Sequence, residues 1–275
     1  MTAMVTMPPA TTERCRLLLQ RWRQDLRLTR REQGLLRGEL TLLDRQLQRL
    51  EHNVLRLAVF GRVGVGKSSL INALVGQRLL ETDEAHGSTR RQKAVTWPLK
   101  LDGLQRVELI DTPGIDEIDA AGRTRLATRV AMGVDLVLLV IDSHLTRCDR
   151  DALETLQASG KPVRLVLNRS DRWPEDQLPE LLASIRSRLP SDLPLTAVAA
   201  APRQPMLDAD GRVRSSAAPA RVSNLKQQLI DQFQREGELL LALQSLRQAD
   251  RFQQQRQHLR LRRHRRSAQC LIGRY

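Results

Sequence analysis

The chain has 275 residues, with 45 Lys and Arg against 31 Asp and Glu and a formal net charge of +14. That length can bury a full α/β core with room for accessory helices. The three cysteines, at 15, 148 and 270, are odd in number and lack metal-ligand spacing, which argues against a disulfide framework or a zinc site and fits a reducing compartment. No run approaches the roughly 18 apolar residues of a membrane span. Met1 to Pro9 also lacks the basic-then-apolar order of a signal peptide, so a cytoplasmic chain is expected.

In chain order, residues 1–52 read as an N-terminal helical arm, with the helical stretch opening at Thr12-Glu13. Leu36, Leu40, Leu43, Leu47 and Leu50 alternate in steps of four and three, a heptad seam that needs an apolar partner. Gly34 and Gly38 weaken the arm and mark a candidate break.

Val54 to Phe60 is a β-rich apolar stretch, and Gly61-Arg62-Val63-Gly64-Val65-Gly66-Lys67-Ser68 follows it directly. This G-x-x-x-x-G-K-S string between a strand and the helical run from Ser69 is a phosphate-binding loop. Its backbone N–H groups and the helix N-terminus face phosphate oxygens, Lys67 reaches the β- and γ-phosphates, and the Ser68 hydroxyl suits Mg²⁺. The alternating stretch from Leu104 to Ile110 ends in Asp111-Thr112-Pro113-Gly114. A carboxylate at a strand end can hold Mg²⁺, and the Gly114 N–H can bond a γ-phosphate. Val163 to Leu167 then ends in Asn168-Arg169-Ser170-Asp171. This matches the guanine motif N-K-x-D with Arg for Lys. The Asp171 carboxylate can accept from both guanine N1–H and the 2-amino group, a donor pair that adenine lacks. Further strands are expected at 93–100, 134–142 and 194–199, with Pro98 suiting an edge.

Residues 203–220, rich in Pro, Ala and Ser around Asp208-Ala209-Asp210-Gly211, read as a flexible connector. From about Val222 a long helix carries Leu225, Leu229, Phe233, Leu240, Leu243 and Leu246 on an apolar stripe, and it leads into an Arg-rich tail within 221–275. Residues 247–275 hold nine Arg and one acid. Such a run can bind anionic lipid or RNA phosphates. With 3% aromatics and none inside the run, it is not a stacking platform for single-stranded RNA.

The three motifs, in this order and spacing, resemble the translation-factor-related P-loop GTPases, and Asp111-Thr112-Pro113-Gly114-Ile115 resembles the Era, TrmE and dynamin-like branch. The resemblance covers about residues 54 to 202. It implies a mostly parallel six-stranded α/β sheet with helices on both faces, here flanked by long N- and C-terminal helices. It makes 53–202 the nucleotide domain and implies Mg²⁺-dependent hydrolysis of GTP to GDP. Gly87-Ser88-Thr89-Arg90 resembles the switch I segment G-T-T-R, which makes Thr89 a third Mg²⁺ ligand beside Ser68 and Asp111. Lys67, Thr89 and Gly114 become the catalytic set. Gly61, Gly64, Val65, Gly66, Ser68 and Ser69 line the phosphates, and Asn168, Arg169 and Asp171 hold the base. The guanine loop after the last strand falls on Ala199-Ala200. Ile115 stands where Ras-type proteins place a water-orienting Gln, so slow hydrolysis is expected. Gly64 offers no side-chain ligand for K⁺. Arg62 and Arg90 are candidate charge stabilisers.

The overall layout also resembles bacterial, particularly cyanobacterial, Era-like GTPases that continue into a membrane-associated helical domain, missing or truncated here. The C-terminal third has no G-x-x-G, so the RNA-binding KH domain of Era itself is not expected. Three partners beyond the guanine nucleotide stay open. They are an anionic surface at the inner face of a membrane, RNA as the less favoured choice, and a second copy through the nucleotide domain or the arms.

Overall fold

The computed structural model describes residues 11–81, 93–116, 119–207 and 213–272. The chain divides into two compact units. One comprises the residues up to Val54 together with those from Glu236 onward, and the other runs from Leu55 to Arg235.

The second unit is built on a six-stranded sheet. Its strands are β1 (Val54–Gly61), β2 (Lys93–Trp97), β3 (Arg106–Asp111), β4 (Leu136–Ile141), β5 (Val163–Leu167) and β6 (Leu195–Ala197), in the spatial order β2-β3-β1-β4-β5-β6. β1, β4, β5 and β6 pair in parallel, and β2 runs antiparallel to β3 at one edge. β4, Leu-Val-Leu-Leu-Val-Ile, is buried at every position. An unbroken apolar run is what a strand covered on both faces requires.

One face packs against α5 (Ala120–Gly133), α6 (Arg147–Ala158) and α7 (Gln177–Arg186). Val137, Leu139 and Ile141 of β4 join Ala131, Leu156 and Ile185 in one buried cluster. The alternate residues look the other way. Arg164 on β5 donates to Gln228 and Gln232, and the Thr196 hydroxyl on β6 donates to Gln228. These glutamines belong to the start of α8 (Ser223–Ile272). Leu225, Leu229 and Phe233 bury on the same helix, and Phe233 meets Trp97 edge-on with ring centroids 6.5 Å apart. Helices therefore cover both faces, as expected. The unit reaches Arg235 rather than ending at 202 because this first part of α8 completes its second face.

Residues 203–220, read from sequence as a connector, carry a β-hairpin. β7 (Arg203–Leu207) pairs antiparallel with β8 (Val213–Ala217), and an Ala199–Arg221 bridge closes its root. Strand alternation is hard to see here because both strands are short and mostly exposed. The expected turn at Asp208 to Gly211 lies outside the described residues.

The other unit is helical, formed by the N-terminal arm and the later part of α8. The N-terminal arm forms α1 (Thr11–Asp25), α2 (Arg30–Leu35) and α3 (Arg37–Glu51) rather than one long helix. A Thr29-x-x-Glu32 capping box starts α2. The Glu32 N–H donates to Thr29 Oγ1 at 3.2 Å, and the Thr29 N–H donates to Glu32 Oε2 at 2.8 Å. Leu36, Leu43 and Leu50 of the seam are buried with Leu241, Ala242, Ala249 and Phe252 of α8. Gln46 donates to Ser245 Oγ at 3.0 Å, while Arg256 and Arg260 reach Glu32. α3 thus runs antiparallel to α8. On α1, Thr12 bonds Glu238 and Trp22 stacks edge-on against Phe252, so α1 runs parallel to α8.

The α8 stripe differs from its sequence reading. Leu243 and Leu246 are exposed, and Leu241, Ser245 and Phe252 take the inner face. That face runs through Leu241, Ser245, Ala249 and Phe252 in steps of four and three, and carries polar side chains that hydropathy alone ignores. Among the described residues no helix is long and apolar enough to cross a membrane.

Leu43 has no exposed surface. Leu43→Ala should destabilise the helical unit by about 2–5 kcal/mol. Hydrogen exchange should show lost protection in α3 and in α8 after Glu236, with β1, β4 and β5 keeping theirs.

The Thr29 backbone N–H, followed by the Arg260 guanidinium, holds the Glu32 carboxyl down from its ordinary 4.5 to about 2. A depressed carboxyl stabilises the fold above its unfolded pKa, and that contribution is lost as pH falls through the folded value. The helical unit should therefore lose stability between pH 4.5 and about 2. Denaturant titrations at stepped pH should show a smaller loss in Glu32→Gln.

Candidate functional site

Four loops meet at the C-terminal ends of β1, β3, β5 and β6. The first leaves β1 at Gly61 and enters α4 (Lys67–Val75), whose N-cap is Gly66 at φ 87°. Only glycine holds that left-handed backbone without strain, and a Cβ there would also run into the Asn168 amide. Lys67, Ser68 and Ser69 form the first turn of α4, so their backbone N–H groups point out of the helix start. Lys67 is 8% exposed, and its Nζ donates to the carbonyls of Gly61 at 3.0 Å and Arg62 at 2.7 Å. The ammonium thus lies folded over its own loop.

The second loop leaves β3 at Asp111. Its Oδ2 accepts from the Ser68 hydroxyl at 2.6 Å, which puts two hard oxygens side by side at the start of α4. The buried Thr112 hydroxyl donates to Val59 O at 2.8 Å and pins the turn to β1. Gly114 lies against Val63 so closely that a Cβ would overlap it. The Val63 N–H donates to Asp116 Oδ1 at 2.6 Å. Ile115 is completely buried among Phe60, Ile141 and Leu145, so its side chain belongs to the core and does not face the loops.

The third loop leaves β5 at Asn168, which is 1% exposed. Asn168 Nδ2 donates to Val65 O at 2.9 Å, and its Oδ1 accepts from the Ala200 N–H at 3.0 Å. One amide therefore joins the phosphate loop, the strand-end motif and the fourth loop. Ala199 and Ala200 are buried beside it, and Arg221 exchanges two backbone hydrogen bonds with Ala199. Arg169 has φ 60°, and a single 3-10 turn, Ser170–Arg172, carries Asp171, which is half-buried. Thr89 and Arg90 lie outside the described residues.

Two residues that carry much of the site's charge are absent from the sequence reading. Asp142, one residue past β4, accepts from Arg62 at 3.0 Å and from Arg169 at 3.1 Å. Asp149, fully buried, accepts from Arg62 at 3.2 Å and forms a capping box with Thr146. Burial pulls the Arg62 pKa down, but Asp149 and then Asp142 outweigh it, leaving the guanidinium above its ordinary value. Arg62 is therefore committed to two carboxylates rather than free to act as a charge stabiliser. Local cues existed for both acids. Ile141-Asp142 repeats the strand-end pattern of Ile110-Asp111, and Thr146-x-x-Asp149 is a capping pattern.

The family model described as "50S ribosome-binding GTPase" matches residues 56–169. GTPase Der of Rhizobium johnstonii is 43% identical over 121 residues, 42% of this chain and 25% of the relative. GTPase Era of Synechocystis sp. is 38% identical over 135 residues, 46% of this chain and 41% of the relative. The chain therefore spans a quarter to two-fifths of the length of these curated relatives. Among solved structures, Era of Aquifex aeolicus bound to GDP and aluminium fluoride superposes with a TM-score of 0.51. It is 21% identical and covers 65% of this chain and 56% of that one. A structure of Era with MgGDPNP and a piece of 16S ribosomal RNA gives the same TM-score, identity and coverage. The fold is the P-loop GTPase fold.

Proposed function

We propose that this chain is an Era-type GTPase that binds guanine nucleotides with Mg²⁺ and hydrolyses GTP to GDP. The observation that carries the reading is the Asn168 amide, which locks the guanine-type loop onto the phosphate loop and the Ala199-Ala200 loop at once. The 56–169 family match and the Der and Era relatives support it.

In this reading Lys67 and the backbone N–H groups from Gly64 to Ser69 cradle the phosphates. Lys67 would exchange its two loop carbonyls for phosphate oxygens. The Asp171 carboxylate takes the guanine N1–H and 2-amino group, while the Ala199-Ala200 loop, its N–H groups held by Arg221 O and Asn168 Oδ1, packs beside the base. Arg169 lies along the purine. The Ser68–Asp111 oxygen pair fits Mg²⁺, which favours hard oxygen ligands, and Thr89 would complete the set. Held there, the ion would neutralise phosphate charge. The chain's own work is positioning and electrostatics, with the Gly114 N–H directed at the γ-phosphate. Because Ile115 is a core side chain, no group at that position orients water. Intrinsic turnover then falls on the Ras-like scale of about 10⁻⁴ to 10⁻³ s⁻¹.

Titration of the purified chain should show binding of GTP and GDP but not ATP. Asp171→Asn should shift preference to xanthosine triphosphate, because an amide donates where xanthine presents a carbonyl. Equal ATP binding by the wild type would overturn the reading.

The role built on this activity is a nucleotide switch at an anionic membrane surface, carried by the Arg-rich end of α8, with dimerisation through the nucleotide unit or the arms left open. Six Arg from 256 to 266 give that end its charge, and four of them, 262, 263, 265 and 266, follow the two that meet Glu32. A second reading, ribosome-associated assembly, draws on the description of the matching family and on Era's structure with 16S ribosomal RNA. Sedimentation with anionic vesicles, beside a gel shift with structured RNA, separates them. Neutralising Arg262, Arg263, Arg265 and Arg266 should abolish vesicle binding, and that binding should fall steeply with salt. Retention on RNA alone would favour the second reading.

A further inference from the structure

We propose that Asp142 is a positioning residue for the nucleotide, a single carboxylate that ties the phosphate loop to the base loop. The inference rests on the guanine-nucleotide reading above and assigns a role to a residue that none of its motifs contains.

The sheet order sets the geometry. β4 lies between β1, which launches the phosphate loop, and β5, which launches the base loop. Gly61 pairs with Val140 and Leu167 pairs with Ile141. The three strands therefore end within one residue of one another. The first residue past β4 falls between Arg62, the first past β1, and Arg169, the second past β5. That residue is Asp142. Each of its oxygens takes one arginine, Oδ1 from Arg62 at 3.0 Å and Oδ2 from Arg169 at 3.1 Å. The side chains are 21% exposed for Arg62, 22% for Asp142 and 30% for Arg169, so water screens these pairs only in part.

The two arginines are held differently. Arg62 has a second anchor in Asp149, which is pinned by the Thr146 hydroxyl at the start of α6. Arg169 sits in the left-handed region at φ 60°, a strained backbone for a side chain of its size. Its guanidinium reaches the Asp142 carboxylate through one nitrogen. A planar fork can do this and still offer its face and stem to a base. A lysine ammonium is a point charge and would have to choose. The Arg in Asn168-Arg169-Ser170-Asp171 thus has a partner that makes it more than a substitute for Lys.

A nucleotide spans both loops. Tying them together before it arrives removes ordering that binding would otherwise have to supply. Loss of the tie should then appear mainly as faster release.

The test is release of a fluorescent GDP from the full chain, followed by stopped flow. The variants are Asp142→Ala, Arg169→Ala and their combination, with a thermal midpoint measured for each. Each single change should speed release by roughly tenfold, and the double change should do little more than either alone, as expected for groups acting through one contact. Asp142→Asn keeps the shape and one acceptor oxygen. It should give a smaller increase, and it serves as the measure if Asp142→Ala does not fold. A purely structural role would lower the thermal midpoint while the two effects multiplied. Release from Asp142→Ala and Asp142→Asn within about twofold of the wild type, or multiplicative effects in the double variant, overturns the proposal. A wild type that binds no guanine nucleotide overturns both this proposal and the function on which it rests.

Discussion

The Asn168 side chain is the contact on which the site depends. Its carboxamide offers one donor pair and one acceptor, and the fold uses both on backbone. The donor goes to Val65 O in the phosphate loop and the acceptor receives the Ala200 N–H. Three segments far apart in sequence are thereby fixed at one point with 1% exposure. Neither Asp nor Leu could replace it. A carboxylate has no donor for Val65, and an apolar side chain would leave two buried backbone groups unpaired. The same amide also explains the close approach at Gly66, where there is no room for a Cβ. A glycine usually assigned to phosphate contact is thus required equally by the neighbouring loop.

The strand-end motifs were legible in the sequence because each answers a local backbone demand. Gly66 needs a left-handed φ, Asp111 ends an apolar strand, and Asn168 ends another. β1, β4 and β5 appeared close to their expected ranges because both-face burial leaves a near-continuous apolar signature. What escaped was of two kinds. The Arg62–Asp142–Arg169 contacts depend on strand order, which periodicity does not reveal, so charged residues separated by 27 and 80 positions gave no sign of meeting. The hairpin at 203–217 escaped because its strands are short, exposed and interrupted by Pro205, so neither burial nor alternation marks them.

The helical regions show how a correct pattern can carry an incorrect detail. The leucine seam from Leu36 to Leu50 does pack against α8. The partner face is not the one that hydropathy selects. Gln46, Ser245, Gln244 and Gln248 are buried alongside the leucines, and Gln46 bonds Ser245 across the helices. A polar layer inside a small bundle costs desolvation and fixes register when its hydrogen bonds are made. Scoring those positions as solvent-facing displaced the predicted stripe onto Leu243 and Leu246. The arm does break between Gly34 and Gly38, where α2 ends at Leu35 and α3 starts at Arg37, and it breaks once more before the capping box at Thr29 and Glu32, which restarts the helix. Glu32 is held there by Arg256 and Arg260 of α8.

Under the proposed GTPase activity, these contacts also narrow where hydrolytic power can come from. An apolar side chain at position 115 could have been a poor substitute for a water-orienting group, or no part of the site at all. Its complete burial among Phe60, Ile141 and Leu145 places it in the second class. Arg62, the phosphate-loop residue best placed by sequence to offset developing charge, is held by Asp142 and Asp149. Moving it to a phosphate would leave the buried Asp149 carboxylate without that cation, at a cost of several kcal/mol for an uncompensated buried charge. The network thus trades a mobile cation for a rigid frame. In such a frame, on the proposed reading, the phosphate loop would supply binding through Lys67 and backbone N–H groups. Under the proposed activity, rate enhancement beyond the intrinsic level must then come from groups other than Arg62 and Ile115.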